Sequence, residues 1–173
     1  MDSTISFRET VSGDLPLLQR IHLASRQLFI DVGRLDVTRL PVIDQALLEN
    51  PSCRGLVAIA DSQPVGFGVY VTLGSDAYLD QLSVSPEHTG RGVGGRLLDR
   101  LIDQAKSRNH DVMTLITYDD LPWNGPFYRK HGFTALTAEM LPTYLADYLD
   151  RERRLGMDMS SRVAMRCYLS GAP

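Results

Sequence analysis

The sequence predicts an α/β fold in which an antiparallel meander leads into a parallel β-α-β unit. Three runs rich in β-branched and aromatic residues, 56–60, 65–73 and 77–84, follow one another across short polar turns, as antiparallel strands do. An amphipathic helix over 94–107 and an apolar run over 112–117 come next, in the order of a strand–helix–strand crossover. We therefore expect one mixed sheet with a parallel pair in its middle.

The chain before the meander predicts a short strand and two helices. Residues 5–8 form the strand candidate, and Asp14 can cap a helix over about 15–29. A second helix is expected over about 37–49, although Pro41 limits where it can begin cleanly.

The helix over 94–107 has one apolar face and one charged face, which is typical of a helix packed on a sheet. The residues expected to face the sheet are Leu97, Leu98, Leu101, Ile102 and Ala105.

The last third of the chain predicts two more helices and two more strands. A short helix over 126–131 is expected to end at Gly132, and a strand over 133–136 follows. A helix over 142–155 precedes the final strand over 162–169. The arginines expected on the solvated face of that helix are Arg151, Arg153 and Arg154.

Length and composition indicate a single domain over 1–173 with its own core. The net charge of −3 argues against a general nucleic-acid binder.

No apolar run approaches a membrane span and MDSTISFRET has no signal pattern, so we expect no membrane partner. Cys53 and Cys167 have no partner spacing, which favours a reducing compartment and a cytoplasmic location. The histidines show no metal-ligand spacing, so we expect no metal cofactor.

The glycine-rich run 90–95 is the most informative segment. Four of its six residues are glycine and a helix follows at once, although each glycine inside a helix costs about 1 kcal/mol relative to alanine. Without a Cβ, a ligand can approach the backbone, and the free N–H groups and dipole of a helix start favour an anion. Arg91 can add charge-assisted hydrogen bonds. The alternative is a tight turn with close helix–strand packing.

The same run matches the dinucleotide fingerprint through Gly90, Gly92 and Gly95. In that fingerprint the first glycine follows its strand directly, whereas here residues 85–89 intervene and an antiparallel meander precedes them. We therefore do not expect a nicotinamide-dependent oxidoreductase.

Two segments resemble motifs of the GNAT superfamily of acyl-CoA-dependent N-acetyltransferases. The run 82–94, LSVSPEHTGRGVG, resembles the family's strand four, its V-x-P exit and its pyrophosphate loop, usually written [QR]-x-x-G-x-[GA]. Gly92 and Gly94 match that loop, but Thr89 occupies the [QR] place. The run 124–133, NGPFYRKHGF, resembles the family's N…FY…GF segment. With the order of elements, the resemblance covers roughly residues 5–169.

The resemblance implies that strands four and five splay apart and that acetyl-CoA, the cosubstrate, binds between them. The main chain near Leu82 and Val84 is then expected to bind the pantetheine arm. Asn124 is expected to contact the pantetheine or the adjacent loop, with a simple helix N-cap as the alternative. The residues expected to offer backbone N–H groups to the pyrophosphate are Arg91, Gly92, Val93, Gly94 and Gly95.

The resemblance also implies two catalytic residues. Tyr128 matches the tyrosine that donates a proton to the departing thiolate, with a packed aromatic as the alternative. Asp80 is the candidate for the base that takes the amine proton, with a surface or structural carboxylate as the alternative. A period of two places Asp80, Leu82 and Val84 on one strand face and Gln81 on the other, unless a bulge exchanges the faces.

The function implied is transfer of an acetyl group from acetyl-CoA to a primary amine by direct attack in a ternary complex. No cysteine lies in either motif, so a covalent acetyl-enzyme has no support. The alternative is a non-catalytic acyl-CoA-binding module on the same fold. We expect a small-molecule or peptide amine as the acceptor, and pairing of two copies as a homodimer is common among similar proteins. The residues that fall where the family's acceptor wall forms are Arg26, Phe29, Asp31, Arg34 and Asp36, and their mixed charge selects no acceptor.

Overall fold

A computed structural model describes residues 5–170 of the chain. The first four residues of MDSTISFRET and the last three residues of the expected 1–173 domain lie outside the described residues. Within them, seven strands form one sheet in the order β1-β2-β3-β4-β5-β7-β6. The strands are β1 (Ser6–Glu9), β2 (Cys53–Ala60), β3 (Gln63–Leu73), β4 (Asp76–Val84), β5 (Val112–Tyr118), β6 (Thr134–Ala135) and β7 (Arg162–Tyr168).

The pairing of the strands confirms the predicted fold class. β1 to β4 form an antiparallel meander, β4 and β5 are parallel, and β7 pairs antiparallel with both β5 and β6. The predicted strand over 133–136 is reduced to the two residues of β6.

Helices cover both faces of the sheet. They are α1 (Leu15–Ser25), α2 (Gln27–Asp31), α3 (Gln45–Glu49), α4 (Val93–Ser107), α5 (Gly125–Lys130) and α6 (Thr143–Leu155). The five residues of α4 predicted to face the sheet are all buried. On the opposite face, Leu18 and Ile21 of α1 pack on Val57, Phe67 and Val69.

The helix predicted over 37–49 is not formed as one element. Residues 35–39 make a 3-10 turn, and Leu40 then has extended dihedrals (φ −70°, ψ 144°). Pro41 causes this break, because its ring disfavours a helical conformation in the residue before it. The chain becomes helical again only at α3, where the Asp44 carboxylate accepts a 2.9 Å hydrogen bond from the Leu47 N–H. The helix predicted over 15–29 is present as α1 and α2, which Arg26 separates.

β4 and β5 separate soon after they begin. Their register contains only the pairs from Asp76↔Val112 to Tyr78↔Thr114. The remaining residues of each strand, 79–84 and 115–118, are not paired with one another. The splay that the resemblance implies is therefore confirmed.

A β-bulge interrupts β4 at Asp80. Tyr70 of β3 pairs with Leu79 and Val69 pairs with Gln81, so Asp80 is the extra residue. A strict period of two across this strand is consequently wrong. Both Leu79 and Leu82 pack in the cluster under α4, although their numbers differ by three.

No helix within residues 5–170 is long and apolar enough to cross a bilayer. Cys53 and Cys167 are both free thiols.

Candidate active site

A cavity of about 600 Å³ opens where β4 and β5 separate. Its cleft end is bounded by β4, β5, α5 and the start of α4, with Leu82, Val84, Gly92, Gly94, Asn124 and Tyr128 in its wall. Its helix end is bounded by α1, α2, α6 and residues 40–41, with Arg26, Phe29, Leu40, Pro41, Tyr148 and Arg151 in its wall. Asp80 also lines the cavity.

The glycine-rich turn leaves open space in front of the first turn of α4. Gly90 and Gly92 have φ values of +78° and +77°, and a Cβ at either position would meet no atom within 4 Å. Glycine is therefore required here by backbone conformation and not by crowding. Gly92 is the N-cap of α4, and its carbonyl accepts a hydrogen bond from the Arg96 N–H. The N–H groups of the first turn have no acceptor within the helix and remain free for an anion.

The other residues predicted to bind the pyrophosphate lie in different surroundings. Gly94 and Gly95 line the cavity, and a Cβ on Gly95 would lie 3.2 Å from the His131 ring. The Val93 side chain is buried in the core under the sheet, and Arg91 is exposed outside the cavity wall. Neither Arg91 nor Val93 is part of the cavity wall.

Leu82 and Val84 lie on the stretch of β4 that has no β5 partner. Their side chains pack against the core cluster under α4. Both residues also line the cavity, so the unpaired edge of β4 is open to a ligand.

Asn124 holds a buried polar atom without a partner. Its Nδ2 donates a 2.7 Å hydrogen bond to Thr117 Oγ1, whereas its Oδ1 is buried and has no hydrogen-bond partner among residues 5–170. Asn124 is the N-cap residue of α5, but its side chain makes no capping hydrogen bond. The chain is held close to β5 at this point, because a Cβ on Gly125 would lie only 2.5 Å from the Asp119 carbonyl oxygen.

Tyr128 is buried in α5 and borders the cavity. Its ring packs edge-on against Phe127 and Phe133, at centroid distances of 5.1 and 5.6 Å. Burial raises the pKa of its hydroxyl well above the usual value, and Arg162 opposes this rise. The hydroxyl therefore stays protonated at neutral pH and can donate a hydrogen bond.

Asp80 is an exposed residue of β4 that lines the cavity, although the surrounding protein reduces the hydration of its carboxyl. Burial raises the pKa of its carboxyl to about 6; Arg151 lowers it and Asp44 raises it. Tyr78, two residues earlier, stacks on Tyr148 of α6 with ring centroids 4.5 Å apart. A carboxylate with a pKa near the working pH is suited to general-base catalysis.

The helix end contains charged residues that sequence reasoning missed. Arg162 makes two hydrogen bonds to Glu152, at 2.8 and 2.6 Å, and its guanidinium lies 4.6 Å from the centroid of the Tyr118 ring. No local pattern joins α6 to β7, so this pair has no sequence signal. Arg151 lines the cavity, which the expectation of a purely solvated face did not include.

The five residues expected at the acceptor wall do not act as a group. Arg26 and Phe29 line the cavity, whereas the other three are outside its wall. Arg34 pairs with both Asp120 and Asp158, and the Asp36 carboxylate accepts a hydrogen bond from the Asp158 N–H. The Asp31 carboxylate accepts a hydrogen bond from Gln27.

No three His, Cys, Asp or Glu side chains come together as a metal ligand set in the part of the chain that the structure describes.

Comparison with known proteins gives one family and a consistent fold. The model of the acetyltransferase (GNAT) family matches residues 19–133. YafP, an uncharacterized N-acetyltransferase of Escherichia coli (strain K12), is 39% identical over 77 residues, which are 44% of this chain and 43% of YafP. The match thus spans less than half of that relative's length.

Solved structures of similar fold cover nearly the whole chain. The ribosomal-protein-S18-alanine N-acetyltransferase from Escherichia coli superposes with a TM-score of 0.70 at 15% identity, over 98% of this chain and 97% of that one. The PaiA N-acetyltransferase from Thermoplasma acidophilum, solved with coenzyme A, superposes with a TM-score of 0.68 at 18% identity, over 95% of this chain and 99% of that one. At these identities the likeness concerns the fold.

Proposed function

Since the chain belongs to the GNAT family of acetyltransferases, we propose that it transfers the acetyl group of acetyl-CoA to a primary amine by direct attack in a ternary complex. The observation that carries the proposal is that one cavity connects the open start of α4 with Tyr128 and Asp80. Such a cavity can admit the two substrates from its two ends.

The cleft end fits a coenzyme A thioester. The first turn of α4 offers free N–H groups to the pyrophosphate, and the open space at Gly90 and Gly92 leaves room for it. The edge of β4 near Leu82 and Val84 has no β5 partner, so its main chain can bind the pantetheine arm. The partnerless Asn124 Oδ1 can accept a hydrogen bond from an amide of that arm. The thioester supplies the acetyl group.

Asp80 is proposed as the general base. An alkylammonium with a pKa of ~10.4 is neutral in only about one molecule in ~2,500 at pH 7, so its proton must be removed before attack. The raised pKa of Asp80 makes it a stronger base than an ordinary carboxylate while leaving it mainly ionised at pH 7. The amine nitrogen then forms a bond to the acetyl carbon, and the carbon–sulfur bond breaks.

Tyr128 is proposed to stabilise the departing thiolate. A reference tyrosine of pKa ~10 and a thiol of pKa ~8.5 make full proton transfer uphill by roughly 2 kcal/mol. Burial raises the pKa of Tyr128 further, which favours hydrogen-bond donation to the sulfur over full transfer.

The proposal is tested by CoA release across a panel of primary amines, with acetyl-CoA binding measured by calorimetry. Tyr128→Phe is expected to lower kcat about tenfold to a thousandfold with little change in the Kd for acetyl-CoA. The exposed Tyr168 provides the matched control, because Tyr168→Phe removes a hydroxyl remote from the cavity wall. Equal turnover of the Tyr128→Phe variant removes this role. Acetyl-CoA binding without CoA release from any amine supports the acyl-CoA-binding module instead.

A further inference from the structure

Arg26 is a buried cation without an anionic partner. The residue is 7% exposed and lies between α1 and α2 in the helix end of the cavity. Its Nη2 donates hydrogen bonds to the carbonyl oxygens of Leu40 and Pro41, at 2.8 and 2.9 Å. Its Nε is buried with no hydrogen-bond partner, and no carboxylate within residues 5–170 forms an ion pair with the guanidinium.

The neighbourhood of Arg26 does not offset its charge. His22, whose Nε2 lies 3.5 Å from Nη2, has its pKa lowered to about 4 by burial and by Arg26, so it is neutral at pH 7. Burial lowers the pKa of Arg26 itself, and the Tyr118 hydroxyl, which opposes that change, is kept protonated and uncharged at pH 7 by its own burial. A buried guanidinium is costly unless it is paired and hydrogen-bonded. The donors of Nε and Nη1 therefore remain for an anion.

The other arginines of the helix end differ from Arg26. Arg162 is satisfied by its two bonds to Glu152. Arg151 is exposed, so solvent screens its charge. Arg26 is thus the cation of this wall that is both buried and uncompensated.

We propose that Arg26 binds a carboxylate of the acceptor, so that the acceptor is an amine that also carries a carboxylate, such as an amino acid. This inference rests on the proposed acetyl transfer. Asp80 receives the proton of the acceptor's ammonium group, and Arg26 binds the acceptor's negatively charged carboxylate. Phe29, Leu40 and Trp123 line the same cavity and offer apolar surface to the rest of the acceptor.

The test uses amino acids paired with their primary amides, which keep the amine and lose the anionic charge. CoA release is measured for the wild type, for Arg26→Met and for Arg20→Met. Arg20 is an exposed arginine of α1 outside the cavity wall and serves as the control. Arg26→Met is expected to raise the KM for the acids roughly tenfold to a hundredfold and to leave the KM for the amides unchanged. The comparison of variant with wild type cancels the different reactivity of the two amines.

Each remaining outcome decides between the two proposals. Failure of the wild type to bind acetyl-CoA by calorimetry overturns the proposed function together with this inference. Acetyl-CoA binding with the same change of KM for acids and for amides in Arg26→Met overturns this inference alone. A uniform loss of kcat in Arg26→Met for both acceptor types assigns Arg26 to a structural link with residues 40–41, and the inference is then wrong.

Two further measurements keep the inference testable. If Arg26→Met does not fold, the preference of the wild type for acids over amides decides the question. If no acceptor of the panel is acetylated, thermal shifts of the CoA-bound wild type with acids and with amides are compared, and the absence of stabilisation by any acid overturns the inference.

Discussion

A single inserted residue determines which side chain β4 presents to the cavity at this point. Because Asp80 is the extra residue of a bulge, its carboxylate is presented to the cavity while Leu79 and Leu82 keep their places in the core. The surrounding protein raises its pKa to about 6. At pH 7 roughly ten ionised molecules then exist for each protonated one.

Asp80→Asn is expected to lower kcat by roughly a hundredfold to ten-thousandfold, because the amide cannot accept the amine proton. In the wild type, kcat/KM is expected to fall as the pH drops below about 6, where Asp80 becomes protonated. The residual kcat/KM of Asp80→Asn is not expected to fall in this pH range. Asp103→Asn, which changes an exposed carboxylate of α4, is the control. An unchanged pH profile in Asp80→Asn would exclude Asp80 as the base.

The same substitution is expected to stabilise the folded protein at high pH. The folded-state pKa of Asp80 lies above its unfolded value of ~3.9, so ionisation of Asp80 costs stability as the pH rises through that interval. Removing the charge therefore raises the Tm at pH 8 and has little effect near pH 4. A gain in Tm of equal size at both pH values would contradict the pKa assignment.

At the scale of elements, the site depends on where two elements stop pairing and where a third begins. β4 and β5 pair over three residues and then diverge, and the free start of α4 lies at the edge of the gap. Gly92 makes this start possible by adopting a left-handed conformation at the N-cap. Other residues pay about 1–2 kcal/mol for that conformation.

Gly92→Ala is expected to lower the free energy of unfolding by about 1–2 kcal/mol and to weaken acetyl-CoA binding. Gly74→Ala is the matched control, since Gly74 has a φ of +64° and also has no atom within 4 Å of an added Cβ, but lies outside the cavity wall. Denaturant unfolding is expected to show a similar loss for both variants. Calorimetry is expected to show weaker acetyl-CoA binding for Gly92→Ala only. Equal affinities of the two variants would show that this turn does not bind the pyrophosphate.

The elements that could be predicted are those that local chemistry specifies. The apolar face of α4 and the glycine that ends α5, Gly132 with a φ of +87°, follow from periodicity and backbone freedom. The helix predicted over 37–49 does not form as one element, because Pro41 disfavours a helical conformation at Leu40 and this effect outweighs the helical pattern. The bulge at Asp80 depends on the register with β3, which one strand does not encode.

At the scale of the whole molecule, the helix end of the site is attached to the sheet by a buried ion pair. Glu152 of α6 and Arg162 of β7 are 11% and 4% exposed in their side chains, and the pair bridges two elements that local sequence does not connect. The cavity wall on this side is therefore only as stable as the docking of α6. Removal of one partner leaves an uncompensated buried charge, which costs about 3–5 kcal/mol.

Glu152→Met and Arg162→Met are each expected to lower the free energy of unfolding by about 3–5 kcal/mol, and the Tm by roughly 6–20 °C for a chain of this size. The double variant is expected to lose less than either single variant, because no charge is then left buried without a partner. Asp150→Asn, which breaks the exposed pair with Arg153 on the same helix, is the control and should change stability by less than about 1 kcal/mol. If the double variant loses as much free energy of unfolding as the two single variants combined, the ion pair does not couple α6 to β7. The docking of this helix must then depend on the apolar contacts of Leu145 and on the Tyr78–Tyr148 stack.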